Sequence, residues 1–279
     1  MIPHRLVFGT STFAAGRLRP GKPSRPGIDA LAAAFAQGIR AVHSNPNLGT
    51  QWAVREAADK SGLADEVRHI VKVQVPLHLP PDEIKDQVDH ALTASVQALG
   101  VAAVDTAVIE PDIKRTVDPG LLADTGLVRQ VYEQAAAQSV ETSLARRVVA
   151  YCHSPAHLLA CLPIDGLAGY AAQYNLIEAW PGLFLDRIAA QDRGFLAMAP
   201  LARGRLATHH SERIVVTPQH PLPALRWVLG HGAVTAVVLT ISSRAHLDEA
   251  IEAAHAPFEE ETVRLDLDRW KRGEVLAPC

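Results

Sequence analysis

The sequence is short of the residues that would set it apart from ordinary globular enzymes. It has three cysteines in 279 residues, Cys152, Cys161 and Cys279. Their spacing suits neither a metal knuckle nor a disulfide framework, so they read as free thiols in a reducing compartment. Neither sign of charge dominates: 27 Lys and Arg stand against 30 Asp and Glu, for a net charge of −3. Nucleic-acid and membrane-surface binding therefore have no compositional support. No apolar run approaches the ~20 residues of a membrane-spanning helix. The opening Met1-Ile2-Pro3-His4-Arg5 lacks the long apolar stretch of a signal peptide. No Gly-x-Gly-x-x-Gly follows the first apolar run, which argues against a dinucleotide-binding open sheet. These absences point to a cytoplasmic protein with a small-molecule substrate and leave its oligomeric state unspecified.

What is present is a core-forming chain, 48% hydrophobic, in which short apolar runs alternate with helix-period segments. Leu6–Gly9, Ile39–His43, Ile70–Val75, Thr106–Ile109, Val148–Cys152, Tyr170–Tyr174, Phe195–Ala199 and Val234–Thr240 read as strands. Between them lie helical stretches. Ile28, Leu31, Ala32 and Phe35 recur at i, i+3, i+4, i+7. Trp52–Lys60 stops at Gly62. Pro80-Pro81-Asp82-Glu83 opens a helix with the stripe Ile84, Val88, Leu92, Val96, Leu99, closed by Gly100. Gly126–Gln138, Pro155–Leu162, Leu183–Gln191, Pro223–Leu229 and Ser243–Ala254 complete the set. Parallel strands need crossover connections, and helices supply them. Eight βα pairs at this length predict an α/β fold, a single (β/α)8 TIM barrel over about residues 5–256. A tail, 257–279, carries one short helix.

Several ordered segments resemble the aldo-keto reductases. Leu6 to Gly16 is similar to the family's opening strand and Gly-Thr turn. Gly38 to Gly49 resembles the stretch Gly-Ile-x-x-x-Asp-Thr-Ala-x-x-Tyr-Gly. Ile70-Val71-Lys72 matches the strand bearing the active-site Lys, and Leu92 to Asp112 the helix and strand that end in the active-site His. Tyr174-Asn175-Leu176, Pro200 to Leu206 and Ser242 to Glu249 match later motifs. Family members reduce carbonyls with a Tyr that donates the proton, a Lys that lowers its pKa, an Asp that pairs with the Lys, and a His that orients the carbonyl. Here those positions hold Leu48, Lys72, His43 and Glu110. Leucine cannot protonate an alkoxide. The family's nicotinamide contacts, Ser-Asn, Gln and a stacking Tyr, fall on Cys152-His153, Ala171 and Met198, which lose hydrogen bonds and a ring face. The resemblance implies NADP as cofactor. Ser242, Ser243 and Arg244 stand where a helix N-terminus would take its phosphate end, with Leu201 and Arg203 also contributing, although a plain Ser N-cap explains the same residues.

His43, Lys72 and Glu110 would lie near the C-terminal ends of successive strands, where such barrels place catalysis. The expected chemistry is acid–base work on a small carbonyl metabolite without net hydride transfer: dehydration, isomerisation, cyclisation or carbon–carbon cleavage. Lys72 would be base or imine former, Glu110 the acid and His43 a relay. One family branch that reduces carbon–carbon double bonds also carries Glu here, but it keeps its Tyr. The alternatives are an NADP-dependent oxidoreductase with a non-standard acid, and a non-catalytic binding or partner subunit. Leu48, Trp52, His153, Tyr174, Asn175 and Met198 are the expected pocket residues. Tyr174 and Asn175 would act through packing and hydrogen bonds, and an ordinary packed aromatic also accounts for Trp52. No metal site is expected. His43, Glu110 and His153 come from separate strands, without helical His spacing. Cys152 and His153 are adjacent on a strand, so they point to opposite faces and do not pair. His209-His210 read as a solvated loop.

Overall fold

The computed structural model describes residues 5–11, 13, 25–112, 123–206, 222–241 and 243–255. Ser242, His209, His210 and the expected tail after residue 256 lie outside the described residues, as do most of the connections after the first, fourth and seventh strands. Eight strands form a closed, all-parallel barrel in sequence order. They are β1 (Leu6–Gly9), β2 (Ala41–Ser44), β3 (Arg68–Val75), β4 (Thr106–Pro111), β5 (Val148–Tyr151), β6 (Leu167–Gln173), β7 (Gly194–Met198) and β8 (Val234–Thr240). The helices that connect and follow them are α1 (Arg25–Ala36), α2 (Gln51–Lys60), α3 (Pro81–Leu99), α4 (Thr125–Thr142), α5 (Pro155–Cys161), α6 (Leu185–Ala189), α7 (Leu222–Gly230) and α8 (Arg244–His255). The β1–β8 pairing, Leu6 opposite Val237 through Gly9 opposite Thr240, closes the ring. The expected (β/α)8 barrel is therefore the observed fold. No helix among the described residues is long and apolar enough to cross a membrane.

Strand alternation sorts the side chains into two layers. Outward residues such as Val71, Val73, Ile109, Ala150, Phe195 and Val237 pack beneath the helices in one large core. Inward residues form a smaller cluster inside the barrel: Val7, Ala41, Val108, Tyr151, Ala171, Leu196, Met198 and Val238. Helix α3 shows how the outer layer is built. Its buried stripe includes Ile84, Val88, Leu92, Val96 and Leu99, its first turn carries Asp82 and Glu83, and Gly100 ends it at φ 72°. A side chain there would be strained and would strike the Arg55 guanidinium at 2.6 Å.

Most elements shift by a few residues from their expected bounds, and two of the differences have a clear physical cause. The helix expected over Leu183–Gln191 is a 3-10 turn, Trp180–Phe184, followed by the five-residue α6. Pro181 and Gly182 favour the tighter turn, and Leu183 is exposed rather than facing the core. Strand β6 begins at Leu167, three residues before the apolar run. Gly169 pairs there with Gly194 of β7. A Cβ on Gly169 would stand 2.2 Å from the Gly194 carbonyl oxygen. Two glycines let these strands approach, a tertiary requirement that overrides their weak strand preference.

Candidate active site

The C-terminal mouth of the barrel collects the inward side chains of β2 to β7. Strand β3 alternates cleanly, with Arg68, Ile70, Lys72 and Gln74 less shielded than the buried His69, Val71, Val73 and Val75. Inward residues of β3 therefore carry the polar groups. Lys72 Nζ lies 3.0 Å from Glu110 Oε2 of β4, and both side chains are largely enclosed, 17% and 11% exposed. Gln74 Nε2 donates to the same carboxylate oxygen at 2.8 Å. The Gln74 side-chain oxygen Oε1 accepts from Asn47 Nδ2 at 2.9 Å and Asn45 Nδ2 at 3.4 Å. Asn45 in turn accepts from the Asn47 backbone N–H at 2.9 Å, which fixes the turn after β2. A continuous polar chain thus runs from the β2 turn to the Lys72 ammonium.

Three more groups surround the pair. Lys72 Nζ sits 4.6 Å from the centroid of the Tyr151 ring on β5, a cation over an aromatic face. His153 Nε2 lies 3.8 Å from Glu110 Oε1 and 3.1 Å from the Pro111 carbonyl oxygen. A carbonyl only accepts, so neutral His153 carries its proton on Nε2 and presents a lone pair on Nδ1. Burial pushes its pKa down, against a raising influence from Glu110. Burial, and then the Lys72 charge, push His43 down to about 3. His43 is therefore a neutral imidazole at physiological pH, and its buried Nε2 has no hydrogen-bond partner among the described residues. Burial, and then Glu110, raise the Tyr151 phenol well above its ordinary value.

The site gathers His43, Lys72, Glu110, His153 and Met198, all of which were expected at it. It also gathers Tyr151 and Gln74, which were not. Their signal was strand period. Tyr151 is two residues before His153 and Gln74 two after Lys72, so each shares its neighbour's face. Comparison with the reductase motif had directed attention to Cys152-His153 instead.

Other expected residues stand elsewhere. Leu48 ends the 3-10 turn Pro46–Leu48 beside the mouth and is half-buried. Trp52, in the first turn of α2, is 45% exposed and so is not a packed core aromatic. Tyr174 faces away from the barrel interior. Its ring packs on Trp227 at 4.8 Å and edge-on to Phe195 at 5.9 Å, and burial raises its phenol to about 12. Asn175 is fully buried and organises a turn: its side-chain oxygen accepts from the N–H groups of Ile177 and Glu178 at 2.9 Å, and its amide donates to the Ala199 carbonyl at 3.0 Å. Both residues support the site through packing and hydrogen bonds rather than by lining it.

The residues expected at a cofactor phosphate are engaged locally. Ser243 Oγ accepts from the His246 N–H at 3.2 Å, the geometry of an N-cap. Arg244 pairs with Asp248 one turn along at 2.9 Å. Leu201 packs against the small apolar cluster of Ala202, Leu206 and Ala224. Arg203 (φ 58°, ψ 36°) reaches back into the mouth, where its guanidinium donates to the Gln173 amide oxygen at 2.7 Å while the Gln173 amide donates to Glu178 at 2.8 Å. Cys152 points outward, its Sγ 3.5 Å from that of Cys161, both thiols free and buried. Burial pushes the Cys152 thiol up, which makes it a poor nucleophile. Among the described residues no three His, Cys, Asp or Glu converge on a point that could hold a metal.

Comparison with known proteins bears on the fold. No family model matches the sequence. Among solved structures, an aldo-keto reductase from Klebsiella pneumoniae in complex with NADP and acetate is similar over 95% of this chain and 90% of its own, with a TM-score of 0.69 and 20% identity. The holo form of an aldo-keto reductase from Bacillus halodurans is similar over 98% and 93%, with a TM-score of 0.70 and 16% identity. The chain has the aldo-keto reductase fold. Among curated proteins, the "Probable cytosol aminopeptidase" of Synechococcus sp. (strain RCC307) is 27% identical over 183 residues, 64% of this chain. The match spans about a third of that protein's length, 34%.

Proposed function

We propose that the chain catalyses proton transfer on a small carbonyl compound without hydride transfer, using the Lys72 ammonium as the electrostatic centre. The observation that carries this is the Lys72–Glu110 pair, 3.0 Å apart and largely enclosed at the barrel mouth. The Glu110 carboxylate held against Lys72 ties its amine into an ion pair, so the geometry favours oxyanion stabilisation over imine formation. A substrate oxygen entering the mouth meets a fixed cation in a partly dry site, where such a charge acts strongly on an enolate or alkoxide. The proton acceptor is the Nδ1 lone pair of His153, and neutral His43, whose Nε2 has no partner among the described residues, hydrogen-bonds the substrate. Glu110 and Gln74 position Lys72. The test is deuterium exchange alpha to the carbonyl of small ketones and hydroxyaldehydes, followed by proton NMR in D2O without nicotinamide. Catalysed exchange that falls a hundredfold or more in Lys72→Met is expected. Exchange indifferent to that change would sink the reading.

Tyr151 supports a second reading. It places a phenol inside the barrel, with its ring against Lys72, and a phenol can protonate an alkoxide formed by hydride transfer. Structural neighbours hold NADP or NADPH. In this reading Arg203 and the start of α8 hold the cofactor phosphates and Tyr151 replaces the family acid. The raised phenol pKa weighs against it, because proton donation is efficient when the acid's pKa lies near the working pH. Calorimetry with NADPH, followed by its absorbance during turnover, separates the two. Tight binding with substrate-dependent oxidation, abolished in Tyr151→Phe, favours reduction.

A further inference from the structure

A second concavity lies at the opposite end of the barrel. Barrels of this kind fill their interior with layers of bulky branched side chains. Here small residues interrupt the layer nearest the strand N-termini, among them Ala41 on β2, Gly194 on β7 and Ala236 on β8. A cavity of about 300 Å3 opens where larger side chains would sit, a volume at the lower end of the range for small-molecule pockets. Its floor is apolar, formed by Val7, Ile70 and Leu196.

The rim is basic. Arg5, Arg68 and Arg147 line it with one carboxylate, Asp105. Asp105 is already engaged, accepting from the His69 N–H at 2.8 Å and lying 3.6 Å from Arg146. Arg5 donates to the carbonyl oxygens of Leu229 at 2.6 Å and His231 at 3.1 Å, which holds it at the rim without neutralising it. Arg68 and Arg147 are exposed at their strand starts, and neither has a carboxylate partner among the described residues. Like charges gathered around an apolar pit repel one another until an anion joins them. Guanidinium groups take carboxylates in a matched two-point geometry.

We propose that this N-terminal pit binds a small organic carboxylate, its apolar body on the floor and its carboxylate between Arg68 and Arg147. The site is independent of the mouth chemistry. The apolar layer of Ile70, Val108 and Val149 separates it from Lys72 and Tyr151. A ring or short chain distinguishes the ligand from a bare anion, because the floor rewards apolar contact.

The test uses 4-fluorobenzoate as probe, observed by fluorine NMR on the full chain. Saturable binding is expected. It should weaken at least tenfold in Arg68→Gln/Arg147→Gln and vanish in Ala236→Leu, which fills the pit without changing charge. Lys72→Met should weaken it by less than tenfold. Inorganic phosphate at equal concentration should not displace the probe. Thermal melting checks that each variant folds, and Ala41→Val fills the same pit should Ala236→Leu fail to fold. The proposal is overturned by non-saturable binding, by binding that survives both the pit-filling and the arginine changes, by displacement with phosphate, or by loss in Lys72→Met, which would move the probe to the mouth.

Discussion

Replacing Lys72 with methionine tests whether the mouth really holds an enclosed ion pair. The side chain keeps much of its length, so packing changes little and the charge disappears. Glu110 then remains, 11% exposed, without its cation. Removing one partner of a buried pair costs about 3–5 kcal/mol, because an uncompensated charge is left behind. Gln74 still donates to Glu110 at 2.8 Å, and His153 stays within 3.8 Å, which places the loss at the low end, about 3 kcal/mol. Loss of the contact with the Tyr151 ring adds about 0.5–1 kcal/mol. For a chain of this size each kcal/mol moves the melting temperature by about 2–4 °C, so a fall of at least about 6 °C is expected. Urea titration at pH 7 reads the free energy directly. Converting Glu110 as well, in Lys72→Met/Glu110→Leu, should recover most of the stability. A single-variant loss below about 1 kcal/mol, the value of an exposed pair, or a double variant no better than the single, would refute the reasoning.

Three other outcomes follow from particular side chains. His43 stays neutral in the fold down to about pH 3, whereas the unfolded chain takes up its proton near pH 6.5; stability is full above pH 6.5 and is lost as pH falls, by about 1.4 kcal/mol per unit. Between pH 7 and pH 5 urea titration should show the parent losing about 2 kcal/mol more than His43→Gln, and equal losses would reject a buried neutral imidazole. Gly169→Ala drives a methyl group into the Gly194 backbone; a loss of about 3 kcal/mol or failure to fold is expected, and a neutral result in the same titration would mean that β6 and β7 do not approach so closely. Asn175→Ala leaves the N–H groups of Ile177 and Glu178 without their partner and removes one of the two donors to the Ala199 carbonyl, a loss of about 2–4 kcal/mol. Calorimetric melting should record that loss with no change in any ligand bound at the mouth, since Asn175 shapes the turn without lining the site.

The barrel was legible because its signals are local. Eight short apolar runs separated by helix-period segments specify parallel strands with helical crossovers, and β8 begins and ends where its apolar run does, at Val234 and Thr240. What period alone could not supply was tertiary pairing. Leu167 to Gly169 contains two small residues and looks unlike a strand, yet it is held in β6 by partners on β5 and β7. The site was legible where one residue could be placed on one strand, as with Lys72 and Glu110. It was less so where face decided the role. Tyr174 and Tyr151 are both aromatic residues at the ends of apolar runs. Alternation turns one outward onto Trp227 and the other inward beneath Lys72. The start of α8 was ambiguous for another reason: a serine at a helix start can cap the helix or receive an anion, and here Ser243 caps.

The same alternation links the two ends of the barrel. On β3 the inward residues run Arg68, Ile70, Lys72, Gln74, and along β5 Val149 and Tyr151, with Arg147 just before the strand. One face of each strand thus carries a charged or polar group at either end with an apolar residue between. Four residues of strand span about 13 Å, beyond the Debye length of about 10 Å at 0.1 M salt. The path between the ends is packed side chain rather than water, which screens less, and at an effective dielectric near 20 two charges at that separation interact by only about 1 kcal/mol. An anion in the N-terminal pit can therefore change binding or rate at the mouth by up to about tenfold and no more. Saturating the pit with 4-fluorobenzoate should change the rate of any Lys72-dependent reaction by less than about tenfold. A larger change would require direct contact, and with it a probe bound at the wrong end of the barrel.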